Sequence, residues 1–116
     1  MKRDTLFLLT SEFLNPGLPE RRFYCWECML LEGVLARFGP ALRNRVDAVR
    51  LPWPKPRSEF ISRFGLENQD LPLLLLSNDE APDFAHRAVQ GQFICVGRDE
   101  ILPALAIQHD IPWPHP

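Results

Sequence analysis

Two cysteines three positions apart carry the clearest chemical signal in the chain. They stand in the segment Cys25-Trp26-Glu27-Cys28, which opens a stretch with helical periodicity. A cysteine at a helix N-terminus faces unpaired N–H groups and the positive end of the helix dipole, and both favour the thiolate that attacks disulfides. Three residues are close to one helical turn, so the second thiol lies near enough to attack a mixed disulfide on the first. The sequence therefore predicts a redox dithiol in which Cys25 is the nucleophile and Cys28 the resolving thiol.

Other interpretations of the cysteine pair stay open. Arg21 and Arg22 favour a thiolate at Cys25, whereas Glu27 disfavours one, so the neighbouring charges act in opposite directions. The pair could instead be two small core residues in a protein without activity. Metal binding has less support, because structural zinc normally takes four ligands and the chain has no second pair with this spacing. We therefore predict no metal site.

The pair lies between a predicted strand and a predicted helix. Residues Thr5–Thr10 form a short apolar run typical of a buried strand, and a Pro/Gly loop follows at Leu14–Glu20. From Cys25 to Phe38, apolar residues recur at the i, i+3 and i+4 spacing of a helix that faces a core. The further predicted elements are strands at Val46–Leu51, Leu71–Leu76 and Gln92–Val96, a helix at Arg57–Phe64 capped by Gly65, a long loop at Ser77–Gly91, and a helix at Glu100–His109 with Asp99 as its N-cap.

The order of these elements predicts an α/β fold. The order β-α-β-α-β-β-α begins with a strand, a crossover helix and a second strand, which make a right-handed parallel unit. The last two strands are expected to pair as a hairpin, with the final helix closing one face. We therefore expect one domain over residues 1–116, with a four-stranded mixed sheet flanked by helices.

Two further segments resemble the thioredoxin-like superfamily. Asp70-Leu71-Pro72 is similar to the cis-proline segment of thioredoxins and glutaredoxins, and the turn at residues 97–101 is similar to the glutaredoxin turn that holds the glutathione carboxylate. Together with the cysteine pair, the resemblance covers nearly the whole chain and implies a thioredoxin-like fold. It also implies a cis peptide bond at Pro72, a substrate groove shaped by Leu71 and Pro72, and a substrate contact at Asp99.

A narrower resemblance is to an uncharacterised bacterial family. Residues 22–26 and 32–35 and the proline-rich end at Pro112–Pro116 resemble a family catalogued as a domain of unknown function with a thioredoxin-like fold. That resemblance implies a fold but no substrate. Trp26 and Glu27 stand where thioredoxins and glutaredoxins usually have a proline between the cysteines, and Val96-Gly97 replaces the glutaredoxin double glycine.

Composition excludes several classes of protein. The chain has 116 residues, of which 46% are hydrophobic and 24% charged, enough for a globular core. Its formal net charge of -2 argues against a dedicated nucleic-acid binder, and three cysteines argue against a secreted disulfide scaffold. The chain has no signal-peptide pattern at Met1–Leu9 and no apolar run near the ~20 residues that cross a bilayer. We expect a cytoplasmic monomer or homodimer that binds neither nucleic acid nor membranes.

The leading functional prediction is thiol–disulfide exchange with protein or small-molecule thiols and disulfides. It needs no metal or organic cofactor, but it needs an electron donor such as glutathione or a protein dithiol. Tyr24 and Trp26 either form an apolar rim that receives a partner or cover the start of the helix. One alternative is a non-catalytic thioredoxin-fold binding module that uses the groove beside Leu71 and the Ser77–Gly91 loop. Another is a glutathione-dependent reductase or transferase-like protein.

Overall fold

The computed structural model describes residues 3–55, 57–65, 67–77 and 81–116. Over these residues the strands are β1 (Asp4–Leu9), β2 (Phe13–Leu14), β3 (Arg22–Phe23), β4 (Val46–Leu51), β5 (Leu73–Leu75), β6 (His86–Arg87) and β7 (Phe93–Val96). The helices are α1 (Trp26–Arg37), α2 (Gly39–Leu42), α3 (Ser58–Phe64) and α4 (Arg98–His109).

The main sheet is mixed, with β1 near its centre. Its strand order is β4-β1-β5-β7-β6. β1 runs parallel to β4, with Asp4 opposite Val46, and antiparallel to β5, with Phe7 opposite Leu73. β5 and β7 form the expected antiparallel pair. The prediction of a mixed sheet flanked by helices is therefore confirmed.

The predicted number of four strands is wrong, because a short strand lies inside the predicted Ser77–Gly91 loop. His86–Arg87 pairs with Phe93 and Ile94 and adds a fifth strand to the sheet. Around the predicted Leu14–Glu20 loop, β2 and β3 pair as a separate two-stranded hairpin that leads directly to Tyr24. Two residues are too few to show the alternation from which a strand is recognised in a sequence, so pattern analysis could not find either of them.

Helices cover both faces of the main sheet. One core cluster joins Leu6 and Leu8 of β1 to Leu31 of α1 and to Ile101 and Leu105 of α4. The other face of the sheet is covered by α3, whose Phe60 and Phe64 pack edge-on against Phe7. This alternation along β1 follows from the opposite directions of successive side chains in a strand. The inner strands β1, β5 and β7 are therefore buried on both faces, as their nearly continuous apolar runs predict, whereas the edge strands β4 and β6 are largely exposed.

The start of α4 differs from the prediction that Asp99 is its N-cap. The cap is Gly97, which has φ 78° and ψ 163° and whose N–H donates to the carbonyl oxygen of Pro72 at 3.1 Å. Asp99 lies inside the first turn, with its side chain 90% exposed beside Arg98. Glu100, one residue further along the chain, instead joins α4 to the preceding strand, since it accepts a hydrogen bond from the N–H of Val96 at 2.8 Å.

None of the helices in the described ranges is long and apolar enough to traverse a lipid bilayer.

Candidate redox site

Cys25 ends the β2–β3 segment and caps α1. It is the N-cap residue, with φ -79° and ψ 110°, and its Sγ accepts a hydrogen bond from the N–H of Cys28 at 3.2 Å. The Cys25 side chain is half-buried. The sulfur atom therefore lies at the positive end of the helix, as the spacing predicts, and stays accessible from one side.

Cys28 lies behind Cys25 in the core. It is 1% exposed, and its Sγ accepts a hydrogen bond from the N–H of Leu9 at 3.4 Å. Burial, followed by the hydrogen bond with Cys25, raises the pKa of Cys28 to about 12, while the Leu9 N–H acts in the opposite direction. In the resting protein, in which both thiols are free, Cys28 is therefore protonated at neutral pH.

Glu27 joins the two helices whose N-termini meet beside the cysteines. Its Oε1 accepts a hydrogen bond from the N–H of Arg98, the first residue of α4, at 2.9 Å. The Arg98 guanidinium lies over the ring of Trp26, 4.4 Å from its centroid. Trp26 is nonetheless 56% exposed, and Tyr24 on the other side of Cys25 is 62% exposed. Both aromatic rings therefore flank the accessible thiol and leave it open to solvent.

The segment Leu71-Pro72 contains the expected cis peptide bond. Pro72 is buried, and its carbonyl oxygen is held by the N–H of Gly97, next to the residue that Glu27 contacts. Within the described ranges, neither backbone group of Leu71 has a hydrogen-bond partner. The start of β5 is therefore fixed to the start of α4.

A groove lies beside Leu71. It has a volume of about 480 Å³ and is lined by Leu9, Trp53, Pro54, Lys55, Arg57, Asp70 and Leu71. Leu9 is also the residue that donates to Cys28. On one side of the groove, Trp53 stacks on Phe13 of the hairpin at 5.2 Å with the two rings nearly parallel. The groove therefore lies between residues 53–55 and the segment Asp70-Leu71, and one of its lining residues, Leu9, donates to the buried Cys28 sulfur through its backbone N–H.

The remaining predicted residues lie apart from the pair or are engaged elsewhere. The Asp99 carboxylate contacts the Arg98 side chain at 3.3 Å and points into solvent. Arg22 bonds Glu12 across the hairpin at 3.1 Å, so its charge is shared with a carboxylate. Cys95 is fully buried in β7, as expected of a core cysteine, and burial raises its pKa to about 12.

The sequence analysis missed two residues of this site, Arg57 and Leu9. Arg57 is a groove residue and not just the start of a helix, and Leu9 contacts Cys28 through its backbone. The position of Leu9 in the alternating pattern of its strand is the one sequence signal that could have placed it near the cysteine helix. No local sequence pattern indicates that Arg57 lines a groove. Among the described residues, no three histidine, cysteine or acidic side chains are grouped so that they could hold a metal ion.

Comparison with known proteins identifies the family of the chain. Neither the curated proteins nor the solved structures contain a match. A family model described as "Protein of unknown function (DUF3088)" matches residues 3–113, which include both cysteines, the cis-proline segment and the whole main sheet. This agrees with the expected resemblance to an uncharacterised domain. The chain therefore belongs to the DUF3088 family.

Proposed function

We propose that the protein is a thiol–disulfide oxidoreductase with a thioredoxin-like arrangement of its elements. One observation carries the proposal: an accessible cysteine caps a helix, and a buried cysteine one turn later contacts its sulfur. The backbone of Leu71, which has no hydrogen-bond partner among the described residues, supports it, since this backbone belongs to the substrate groove that the resemblance implies.

The proposed reaction has two displacements. The Cys25 thiolate attacks one sulfur of a disulfide R–S–S–R′, forms a Cys25–S–S–R bond and releases R′–S⁻, which takes a proton from solvent. Cys28 then loses its proton to solvent and attacks the Cys25 sulfur, forming the Cys25–Cys28 disulfide and releasing R–S⁻, which is protonated in turn. The substrate disulfide is reduced to two thiols and the protein dithiol is oxidised. An external thiol such as glutathione, or a protein dithiol, restores the dithiol.

The groove favours an extended chain as the substrate. The free N–H and C=O of Leu71 can pair with a backbone in the manner of an added strand, which positions a disulfide next to Cys25. Tyr24 and Trp26, the exposed rings on either side of Cys25, would contact apolar side chains of that substrate. Protein and peptide disulfides are therefore the proposed substrates, in preference to a metal ion or a nucleic acid.

A redox titration with a trapping variant tests the proposal. The wild-type protein is equilibrated with glutathione or dithiothreitol buffers, alkylated and analysed by mass spectrometry. We expect one two-electron transition confined to Cys25 and Cys28, with Cys95 reduced throughout. Cys28→Ser should accumulate a mixed disulfide on Cys25, and Cys95→Ser should behave like the wild type.

Two results would overturn the proposal. One is that Cys25 and Cys28 never form a disulfide. The other is that Cys25 alkylates no faster than the thiol of a short unfolded peptide. The non-catalytic binding module would then be the better interpretation of the groove.

A further inference from the structure

The second displacement needs a thiolate at Cys28, and most of its surroundings oppose one. Burial disfavours the charged form, and the negative charge of Glu27 acts in the same direction. The contact with Cys25 also raises the pKa of Cys28, but that effect ends once the Cys25 sulfur is held in a mixed disulfide. The Leu9 N–H remains as a donor to Cys28. One hydrogen bond from an amide is a modest compensation for a buried charge, so a further stabilising group is required.

Arg57 is a cation fixed in the wall of the groove. Its guanidinium donates to the carbonyl oxygens of Trp53 and Gln69, each at 2.6 Å, and to that of Pro52 at 3.4 Å. All three acceptors are neutral, and among the described residues no carboxylate is bonded to this guanidinium. Asp70, whose charge acts on Arg57, is engaged in an ion pair with Lys55. These hydrogen bonds to backbone carbonyl oxygens therefore fix the position of Arg57 without neutralising its charge.

Leu9 links this cation to the buried thiol. Arg57 and Leu9 line the same groove, and the N–H of Leu9 donates to the Cys28 sulfur. The Arg57 Nε–H is buried and has no hydrogen-bond partner among the described residues. Burial lowers the pKa of Arg57, and Asp70 together with an ionised Cys28 acts in the opposite direction, so the guanidinium lies within electrostatic range of a thiolate at Cys28.

We propose that Arg57 is a positioning residue that stabilises the Cys28 thiolate in the resolving displacement. The inference rests on the proposed exchange activity and assigns to Arg57 the second step alone. As the proton leaves Cys28, the negative charge that develops on its sulfur is attracted by the fixed guanidinium. This negative charge leaves the Cys28 sulfur when the Cys25–Cys28 bond forms and the electron pair departs with the substrate thiolate.

The two displacements can be timed separately with 5,5′-dithiobis(2-nitrobenzoate). Attack by Cys25 releases one coloured thionitrobenzoate and leaves the second as a mixed disulfide, and attack by Cys28 releases that second equivalent. Cys28→Ser should show only the first release, which identifies the two phases. We expect Arg57→Gln to slow the second release at neutral pH by about tenfold and to move its pH profile to higher pH. The reason is that removing an adjacent positive charge raises the pKa of a thiol by about one unit or more.

Matched variants separate charge from structure. Arg57→Lys keeps the positive charge, so the rate of the second release should stay within about threefold of the wild-type rate. A tenfold change in that rate would correspond to a change of about one unit in the pKa of Cys28. Arg63→Gln removes a cation from α3 that lies over the ring of Phe64 and should leave both phases unchanged. Asp70→Asn removes an exposed carboxylate next to Arg57 and should accelerate the second release, a readout that does not depend on whether Arg57→Gln folds.

The possible results distinguish this inference from the proposed function. If the wild type releases no second equivalent, the exchange proposal fails. If both phases occur in the wild type but Arg57→Gln matches it, or Arg57→Lys is as slow as Arg57→Gln, the role of Arg57 as a charge is overturned. An Asp70→Asn variant whose second release is slower than that of the wild type would overturn it as well.

Discussion

Glu27 accepts a hydrogen bond from the N–H of Arg98 at 2.9 Å, so the residue between the two cysteines helps to cap a helix that begins 71 residues later. Gly97, the N-cap residue of α4, has no side chain with which to cap it. A carboxylate at a helix N-terminus both accepts from a free N–H and interacts favourably with the helix dipole. The capping of α4 therefore explains why an acidic residue stands between the two cysteines, although its negative charge disfavours a thiolate there.

Removing this cap should destabilise the protein and ease the ionisation of Cys28. We expect Glu27→Ala to lower the free energy of unfolding by about 1 kcal/mol, the usual value of a helix cap. The loss of its charge should also lower the pKa of Cys28, since Glu27 contributes to raising it. Urea denaturation measures the first effect, and the pH dependence of Cys28 alkylation measures the second. Glu20→Ala, at an exposed loop position, is the control; equal stability of the two variants would contradict the prediction.

Asp4 should make the stability depend on pH. It is buried and accepts hydrogen bonds from the Ser77 N–H at 2.8 Å and from His109 Nε2 at 2.6 Å. Burial alone would raise its pKa, but these bonds outweigh burial and hold the pKa below the ordinary 3.8. A carboxyl group with a lowered pKa stabilises the fold above its unfolded pKa, and this contribution is lost as the pH falls through the folded pKa.

Asp4→Asn isolates that contribution. At pH 7 we expect a loss of about 1–3 kcal/mol in the free energy of unfolding, because the charged acceptor of two buried bonds is removed. Below pH 3.8 the wild type loses the same contribution, so the difference between the two proteins should shrink. Guanidinium denaturation at several pH values measures it, and a difference that stays constant down to acid pH would refute the assignment.

Gly97 and Gly33 should respond in opposite ways to alanine. Gly97 has φ 78°, where a side chain is strained, although an added Cβ would meet only Glu27 Oε1 at 3.7 Å. Gly33 lies in the middle of α1, and a Cβ there would meet nothing within 4 Å. We expect Gly97→Ala to destabilise by about 1–3 kcal/mol through backbone strain and Gly33→Ala to stabilise by about 0.5–1 kcal/mol. Thermal unfolding of both variants checks the signs.

The hairpin before the cysteines should depend on the stack of Trp53 on Phe13. Trp53 packs on Phe13 at 5.2 Å, whereas Trp113 is 62% exposed near the end of the chain. We expect Trp53→Ala to lower the free energy of unfolding by about 2 kcal/mol, from lost apolar burial and the ring contact. Amide exchange should rise over residues 12–24 and stay unchanged in β1. Trp113→Ala should change neither quantity, and matching behaviour of the two variants would argue against the stack.

How much of this structure the sequence predicts depends on the range of each interaction. Local periodicity locates β1, α1, α3 and α4 to within about two residues, because each has enough turns or alternations to show its period. The two-residue strands β2, β3 and β6 lack that length. The resemblance supplied the cis bond at Pro72, which no local pattern could indicate.

The same distinction between local and long-range interactions separates the features of the candidate site that the sequence predicts from those that it does not. The order of Cys25 and Cys28 and their positions at the helix start follow from their spacing. The bond from Glu27 to Arg98 and the tether of Arg57 to Gln69 join residues that are brought together only by the packing of several elements. Asp99 was misplaced for a related reason: the N-terminal end of α4 is set by Gly97 and by a carboxylate from another helix, so no side chain was needed at the predicted position.

The bond from the Leu9 N–H to the Cys28 sulfur joins the central strand to the chemistry of the dithiol. Disulfide formation removes the proton of the Cys28 thiol and moves its sulfur toward Cys25, so oxidation of the pair changes the hydrogen bond from the Leu9 N–H and the shielding of that amide proton. In a ¹⁵N-labelled sample, the Leu9 resonance should shift as Cys25 and Cys28 join and return to its original position on reduction. A strand amide that lies 19 positions away in the chain thus provides an intrinsic spectroscopic reporter of oxidation state, without any label at the cysteines.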